Sequence, residues 1–134
     1  MNTYRKTILY VDDDVDDIAM LRYAIETVDS GHQIIEATDG LHALNLLNQL
    51  HEKNELPCLI VLDINMPRMD GKETLAALQV DRKLASIPVV LFSTSSSIGD
   101  KSFSKEKNVE LITKPFDFKS LYITANKILC YCRA

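Results

Sequence analysis

An α/β fold, with a doubly wound parallel sheet covered by helices on both faces, is predicted by two observations. Short apolar runs and helical stripes alternate five times along the chain. The most apolar run, Leu59-Ile-Val-Leu62, has no polar residue, as expected of a strand buried on both faces in a parallel sheet. That run delivers Asp63 at its C-terminal end and breaks at Met66-Pro67 and Asp70-Gly71, which are turn signals. Ligands of open α/β sheets bind at the carboxyl ends of the strands, so Asp63 stands where chemistry is expected.

The elements follow in order. Thr7-Ile-Leu-Tyr-Val11 is a strand that stops at Asp12, Asp13 and Asp14. Ile18, Leu21, Ala24, Ile25 and Val28 mark one face of a first helix, which Ser30-Gly31 ends. Residues 33–37 form a second strand, and Thr38-Asp39-Gly40 turns the chain into a helix with Ala43, Leu44, Leu47 and Leu50 on its stripe. After the central strand, residues 73–80 carry Leu75 and Leu78 on a third helix. Pro88 opens the strand Val89-Val-Leu-Phe92, which ends in the hydroxyl run Ser93 to Ser97. Residues 98–107 are the weakest helix, with Ile98 and Phe103 as the side chains to bury. Residues 109–113 form a fifth strand ending at Lys114-Pro115. The last helix carries the clearest stripe: Phe118, Leu121, Tyr122, Ala125, Ile128, Leu129 and Cys132.

The 134 residues suit one domain, expected to span residues 1–134 without an output domain. A net charge of −4 does not point to nucleic acid. No apolar run approaches the roughly 20 residues of a membrane span, and the N-terminus lacks the apolar region of a signal peptide. Cys58, Cys130 and Cys132 are odd in number and show no metal-ligand spacing with histidine. They are expected to be reduced, packed thiols in a cytoplasmic protein.

The strand ends supply a set: Asp12 and Asp13, Asp63, Ser93, and Lys114. No glycine-rich phosphate loop follows the first strand, which disfavours a dinucleotide. Converging carboxylates suit Mg²⁺, a hard cation that shares its shell with water and phosphate. Lysine supplies a point charge to a phosphate oxygen, and a serine hydroxyl can donate to another. Each residue alone is weak, since a strand-end serine or lysine is usually a solvated boundary. Their order at successive strand ends is specific.

With Val11-Asp12-Asp13, Asp63-Ile-Asn-Met-Pro67, Met69-Asp70-Gly71, Phe92-Ser93-Thr94 and Thr113-Lys114-Pro115-Phe116, the chain resembles the receiver domains of two-component response regulators from Ile8 to about Leu129. The resemblance implies a flavodoxin-like sheet of order 2-1-3-4-5. It implies Asp63 as phosphoacceptor, with Asp13 and Asp63 as direct Mg²⁺ ligands, Asp12 acting through water, and the Asn65 backbone carbonyl as a further ligand. Ser93 and Lys114 are implied as the hydroxyl and ammonium that meet the phosphoryl group. Implied partners are a sensor histidine kinase or histidine phosphotransfer protein and a downstream protein. Phosphoryl transfer and hydrolysis would be confined to the chain itself, with no turnover of an external substrate. The exposed apolar residues of the last helix could support a homodimer.

One position departs from the family. Many receivers carry an aromatic residue three before the lysine, where this chain has Leu111. Either Leu111 simply packs and a loop carries the signal, or the usual switch is altered. Asn65 and Ser95 stand where they could position a hydrolytic water. Three other readings are open to the chain: a phosphorelay intermediate or phosphate sink, an unphosphorylated binding module, and a metal-dependent phosphatase. The last needs a general acid two residues after the nucleophile, where Asn65 cannot protonate a leaving group.

Overall fold

Successive residues of β1 (Lys6–Val11) face opposite ways, the period of a strand. Ile8 and Tyr10 join one apolar cluster, and Leu9 and Val11 join another. This division organises the computed structural model, which describes residues 6–94 and 97–132. The remaining elements are α1 (Val15–Val28), β2 (His32–Ala37), α2 (Gly40–Glu52), β3 (Leu59–Leu62) and α3 (Gly71–Val80). They are followed by β4 (Val89–Ser93), α4 (Ile98–Glu106), β5 (Glu110–Thr113) and α5 (Phe118–Leu129). The five strands are parallel in the order β2-β1-β3-β4-β5, as the resemblance implies.

The two clusters are the two faces of the sheet. Ile18, Leu21, Ala24 and Ile25 of α1 and Leu121, Ala125 and Ile128 of α5 cover Ile8, Tyr10, Val61 and Phe92. Ala43 and Leu47 of α2 and Leu75 and Leu78 of α3 cover Leu9, Val11, Leu62 and Leu91 on the other side. Each helix begins at a side chain that accepts a backbone N–H: Asp14, Asp39, Asp70, Ser97 and Asp117 in turn. Such a cap contributes about 1 kcal/mol. The Asp70 cap, reinforced by Glu73, starts α3 at Gly71, two residues before the apolar stripe shows it.

Three expectations are corrected. Ile98 is 85% exposed, and α4 buries Asp100 and Ser104 instead. Asp100 is tolerated there because Lys72 of α3 reaches its carboxylate at 3.0 Å. Phe118, placed on the buried stripe of α5, is exposed: it opens the helix, one turn ahead of Leu121, the first residue of α5 that is buried. The cysteines are not all reduced: Cys58 and Cys132 form a disulfide, with Cα atoms 5.0 Å apart across 74 residues of sequence, while Cys130 is free and exposed. The pairing arises because the turn after α5 returns to the start of β3, where both cysteines join the cluster of the α1 and α5 face.

Candidate functional site

The register of the sheet brings the acids together. Val11 pairs with Leu62, so Asp12 and Asp63 leave neighbouring strands side by side, and the Asp63 N–H donates to the Val11 carbonyl at 2.9 Å. Ser93 pairs with Thr113, and the Lys114 N–H donates to the Ser93 carbonyl at 2.8 Å. Asp12, Asp63, Ser93 and Lys114 are all buried. Asp13 is exposed at the rim of the group.

Lysine is the positive centre of this cluster. Lys114 Nζ donates to Asp12 Oδ2 at 2.7 Å and to Asp17 Oδ2 at 2.8 Å, and stands 3.8 Å from Asp63 Oδ2. Burial pulls its pKa down, but the hydrogen bonds to Asp12 and Asp17 outweigh that and leave it above an ordinary lysine. Asp63 shows the opposite balance. Burial, then the negative charge of Asp12, pushes its carboxyl up to about 7, against the pull of Lys114 and the Ile64 N–H.

Two residues belong to the site that sequence reasoning did not assign. Tyr10 donates its hydroxyl to Asp12 Oδ2 at 2.6 Å. Its ring stands edge-on to Phe92, with centroids 5.8 Å apart. Burial, reinforced by Asp12, raises its pKa and keeps it a donor. Residues i and i+2 of an extended strand share a face, a signal that could have paired Tyr10 with Asp12. Asp17 lies three residues after the Asp14 cap, in the first turn of α1, where an acid is explained by the helix dipole alone. Its approach to Lys114 becomes visible only once β5 lies beside β4.

Asp12, Asp13 and Asp63 each offer a carboxylate oxygen within 4.8 Å of the others. Three hard oxygen donors at that spacing fit a divalent cation, which would offset both the burial and the Asp12 charge that raise the Asp63 pKa. Asn65 is exposed in the loop after β3. Leu111 is half-buried against the α2 and α3 cluster. Ser95, the other residue expected near a hydrolytic water, lies outside the described residues.

A five-stranded doubly wound domain with acids and a lysine gathered at the carboxyl edge of its sheet defines a class of protein, and comparison resolves the family. The chain belongs to the response regulator receiver domain family, which it matches over residues 8–126. It is 36% identical over 120 residues to the response regulator Rcp1 of Synechocystis sp., covering 87% of this chain and 82% of that one. It is 31% identical over 123 residues to Protein PilH of Pseudomonas aeruginosa, covering 91% and 96% of the two chains. The fold is similar to that of the phosphorylated cyanobacterial phytochrome response regulator RcpA, with a TM-score of 0.83 and 33% identity over 92% of this chain and 91% of that one. It is also similar to the Mn(2+)-bound form of Rcp1, with a TM-score of 0.79 and 36% identity over 92% and 91% of the chains. No helix among the described residues is long and apolar enough to cross a membrane.

Proposed function

We propose that this chain is a phosphoacceptor receiver that takes a phosphoryl group from a phosphohistidine onto Asp63 and signals to a protein partner by a change of conformation. The observation that carries this reading is the placement of Asp63, buried at the end of β3 beside the Asp12–Lys114 ion pair, with the Lys114 ammonium 3.8 Å from its carboxylate. A carboxylate oxygen of Asp63 attacks phosphorus, the P–N bond of the donor breaks, and its imidazole leaves with the electron pair. Lys114 balances charge on the phosphoryl oxygens, and Ser93 donates its hydroxyl to one of them. Asp13 and Asp63 would hold Mg²⁺ directly, with Asp12 through water and the Asn65 carbonyl as a further ligand. The ion supplies charge neutralisation for the incoming phosphoryl oxygens. That the similar RcpA is known in a phosphorylated form and Rcp1 with Mn(2+) supports the reading.

The donor is a sensor histidine kinase or a histidine phosphotransfer protein, and the setting is the cytoplasm. The output face comprises α4, β5 and α5, which adjoin the loop that Ser93 would pull. The exposed Phe118 and Ile123 of α5 leave apolar area there for a downstream protein or a second copy of the chain.

Intact-mass spectrometry after incubation with acetyl phosphate, with and without Mg²⁺, tests the assignment. One added phosphoryl group that needs the cation and is absent from Asp63→Asn is expected. A folded, cation-binding protein that gains no mass would leave an unphosphorylated binding module.

A further inference from the structure

We propose that Asp17 is a positioning residue of this site, the carboxylate that keeps the Lys114 ammonium directed at Asp63 when Asp12 is engaged by a cation. The inference rests on the phosphoacceptor reading of Asp63 and deepens it.

Lysine has three N–H groups. One is taken by Asp12 at 2.7 Å and one by Asp17 at 2.8 Å, while Asp63 Oδ2 lies just beyond hydrogen-bond reach at 3.8 Å. Two fixed donors on a tetrahedral ammonium leave a single remaining direction. The two anchors differ in the other demands on them. Asp12 Oδ2 also accepts the Tyr10 hydroxyl at 2.6 Å, and Oδ1 accepts the Asp14 N–H at 2.9 Å. Asp12 also belongs to the group of acids close enough to share an ion, together with Asp13 and Asp63. Asp17 stands outside that group. A cation that draws on Asp12 therefore leaves Asp17 as the second hold on Lys114.

The surroundings show why a second hold matters. A cavity of about 30 Å³ lies beside the lysine, lined by Asp17, Met20, Leu21, Phe92, Pro115 and Leu121. This is room enough for a water molecule or a displaced ammonium. Lys114 released from Asp17 has somewhere to go other than toward Asp63. Phe92, whose ring centroid is 5.9 Å from Nζ, also attracts the cation but does not fix its direction. The simpler alternative is that Asp17 only favours the helix dipole and forms a weak ion pair at the rim, since its side chain is 33% exposed.

The comparison of wild type, Asp17→Asn and Asp17→Glu separates the two. Asparagine keeps the shape and removes the charge, and glutamate restores the charge on a longer arm. Three readouts are needed: the ¹⁵Nζ resonance of Lys114, Mg²⁺ affinity by titration, and the rate of phosphorylation by acetyl phosphate. Asp17→Asn is expected to lose the ordered Lys114 ammonium signal with Mg²⁺ bound. Its Mg²⁺ affinity is expected to stay within about twofold, because Asp17 is not a ligand. Its phosphorylation is expected to slow by on the order of tenfold, the scale of lost support behind a reacting group. Asp17→Glu is expected to recover part of both the signal and the rate.

A Lys114 signal and a rate both unchanged in Asp17→Asn would overturn the proposal, as would a tenfold loss of Mg²⁺ affinity, which would make Asp17 part of the ion site. If wild type itself gains no phosphoryl group, the phosphoacceptor reading fails. The Lys114 resonance then still decides whether Asp17 places the ammonium.

Discussion

Arg68 closes on Asp39 with its Nε 2.7 Å from Oδ2, fastening the loop after β3 to the start of α2. The loop carries Asn65, and a second tie is the Gly40 N–H, which donates to the Met69 carbonyl at 3.2 Å. Asp39 is buried, caps α2, and is held below the usual carboxylate range first by the His42 N–H and also by Arg68. Arg68 sits in the left-handed region, at φ 64°, where a side chain costs about 1 kcal/mol or more. Arg68→Ala keeps that cost and loses the ion pair, whereas Arg68→Gly loses both. Glycine is expected to leave the protein more stable than alanine by about 1 kcal/mol in urea denaturation. Equal stability of the two would show that the left-handed backbone at this position carries no such cost.

Asp63 makes the cation-free protein sensitive to pH. Its folded pKa of about 7 lies above the ordinary value of 3.8, so between those values the native state holds the proton more tightly than the unfolded chain. Stability therefore falls as pH rises from about 4 to about 7 and levels off above that. The loss is expected to be a few kcal/mol. Thermal unfolding across that range checks it. Asp63→Asn should flatten the profile, and Mg²⁺ should restore stability at the upper end; an unchanged profile in the variant would assign the effect elsewhere.

Gly71 is required by proximity rather than by an unusual φ. A Cβ at this position would collide with the Asp63 carbonyl oxygen and the Ile64 Cα, both backbone atoms that cannot step aside. The Gly71 N–H also donates to the Ile64 carbonyl at 2.8 Å. Gly71→Ala is expected to cost more than about 2 kcal/mol and to weaken Mg²⁺ binding, because the end of β3 must move. Denaturation and cation titration of the same sample test both effects. A variant with wild-type values would mean that α3 shifts freely.

The Cys58–Cys132 bond spans 74 residues of sequence, a loop long enough for its closure to matter. Reduction is expected to lower stability by about 2–4 kcal/mol, and a Cys58→Ala, Cys132→Ala double variant should not respond to reductant. Thiol titration of the unreduced protein should find one free group, Cys130. Three free groups would return the chain to the reduced state that composition suggests.

How much was legible in the chain follows from the range of each interaction. The alternation of elements, the uniform apolar character of Leu59 to Leu62 and the stripe Ile18, Leu21, Ala24, Ile25 are local patterns, and each appears in the structure. The family motifs named Asp12, Asp13, Asp63, Ser93 and Lys114, and the sheet places these residues along one carboxyl edge. Exposure at element ends was harder to read. Ile98 and Phe118 are apolar and correctly spaced, yet they lie at the first position of their helices and are exposed.

Contacts between segments far apart in sequence were settled only by folding. Asp17 meets Lys114 across 97 residues, and Cys58 meets Cys132 across 74. Local periodicity records which face of an element is buried, because burial repeats with the pitch of a helix or strand. It does not record which two faces meet. That depends on strand order and on where each crossover lands, and these are set by the summed packing of the two clusters. Local patterns in the chain specify the elements, their inner faces and the acids, hydroxyl and lysine at the strand ends. The folded chain alone determined which acid holds Lys114, and that the last turn is tied to the central strand.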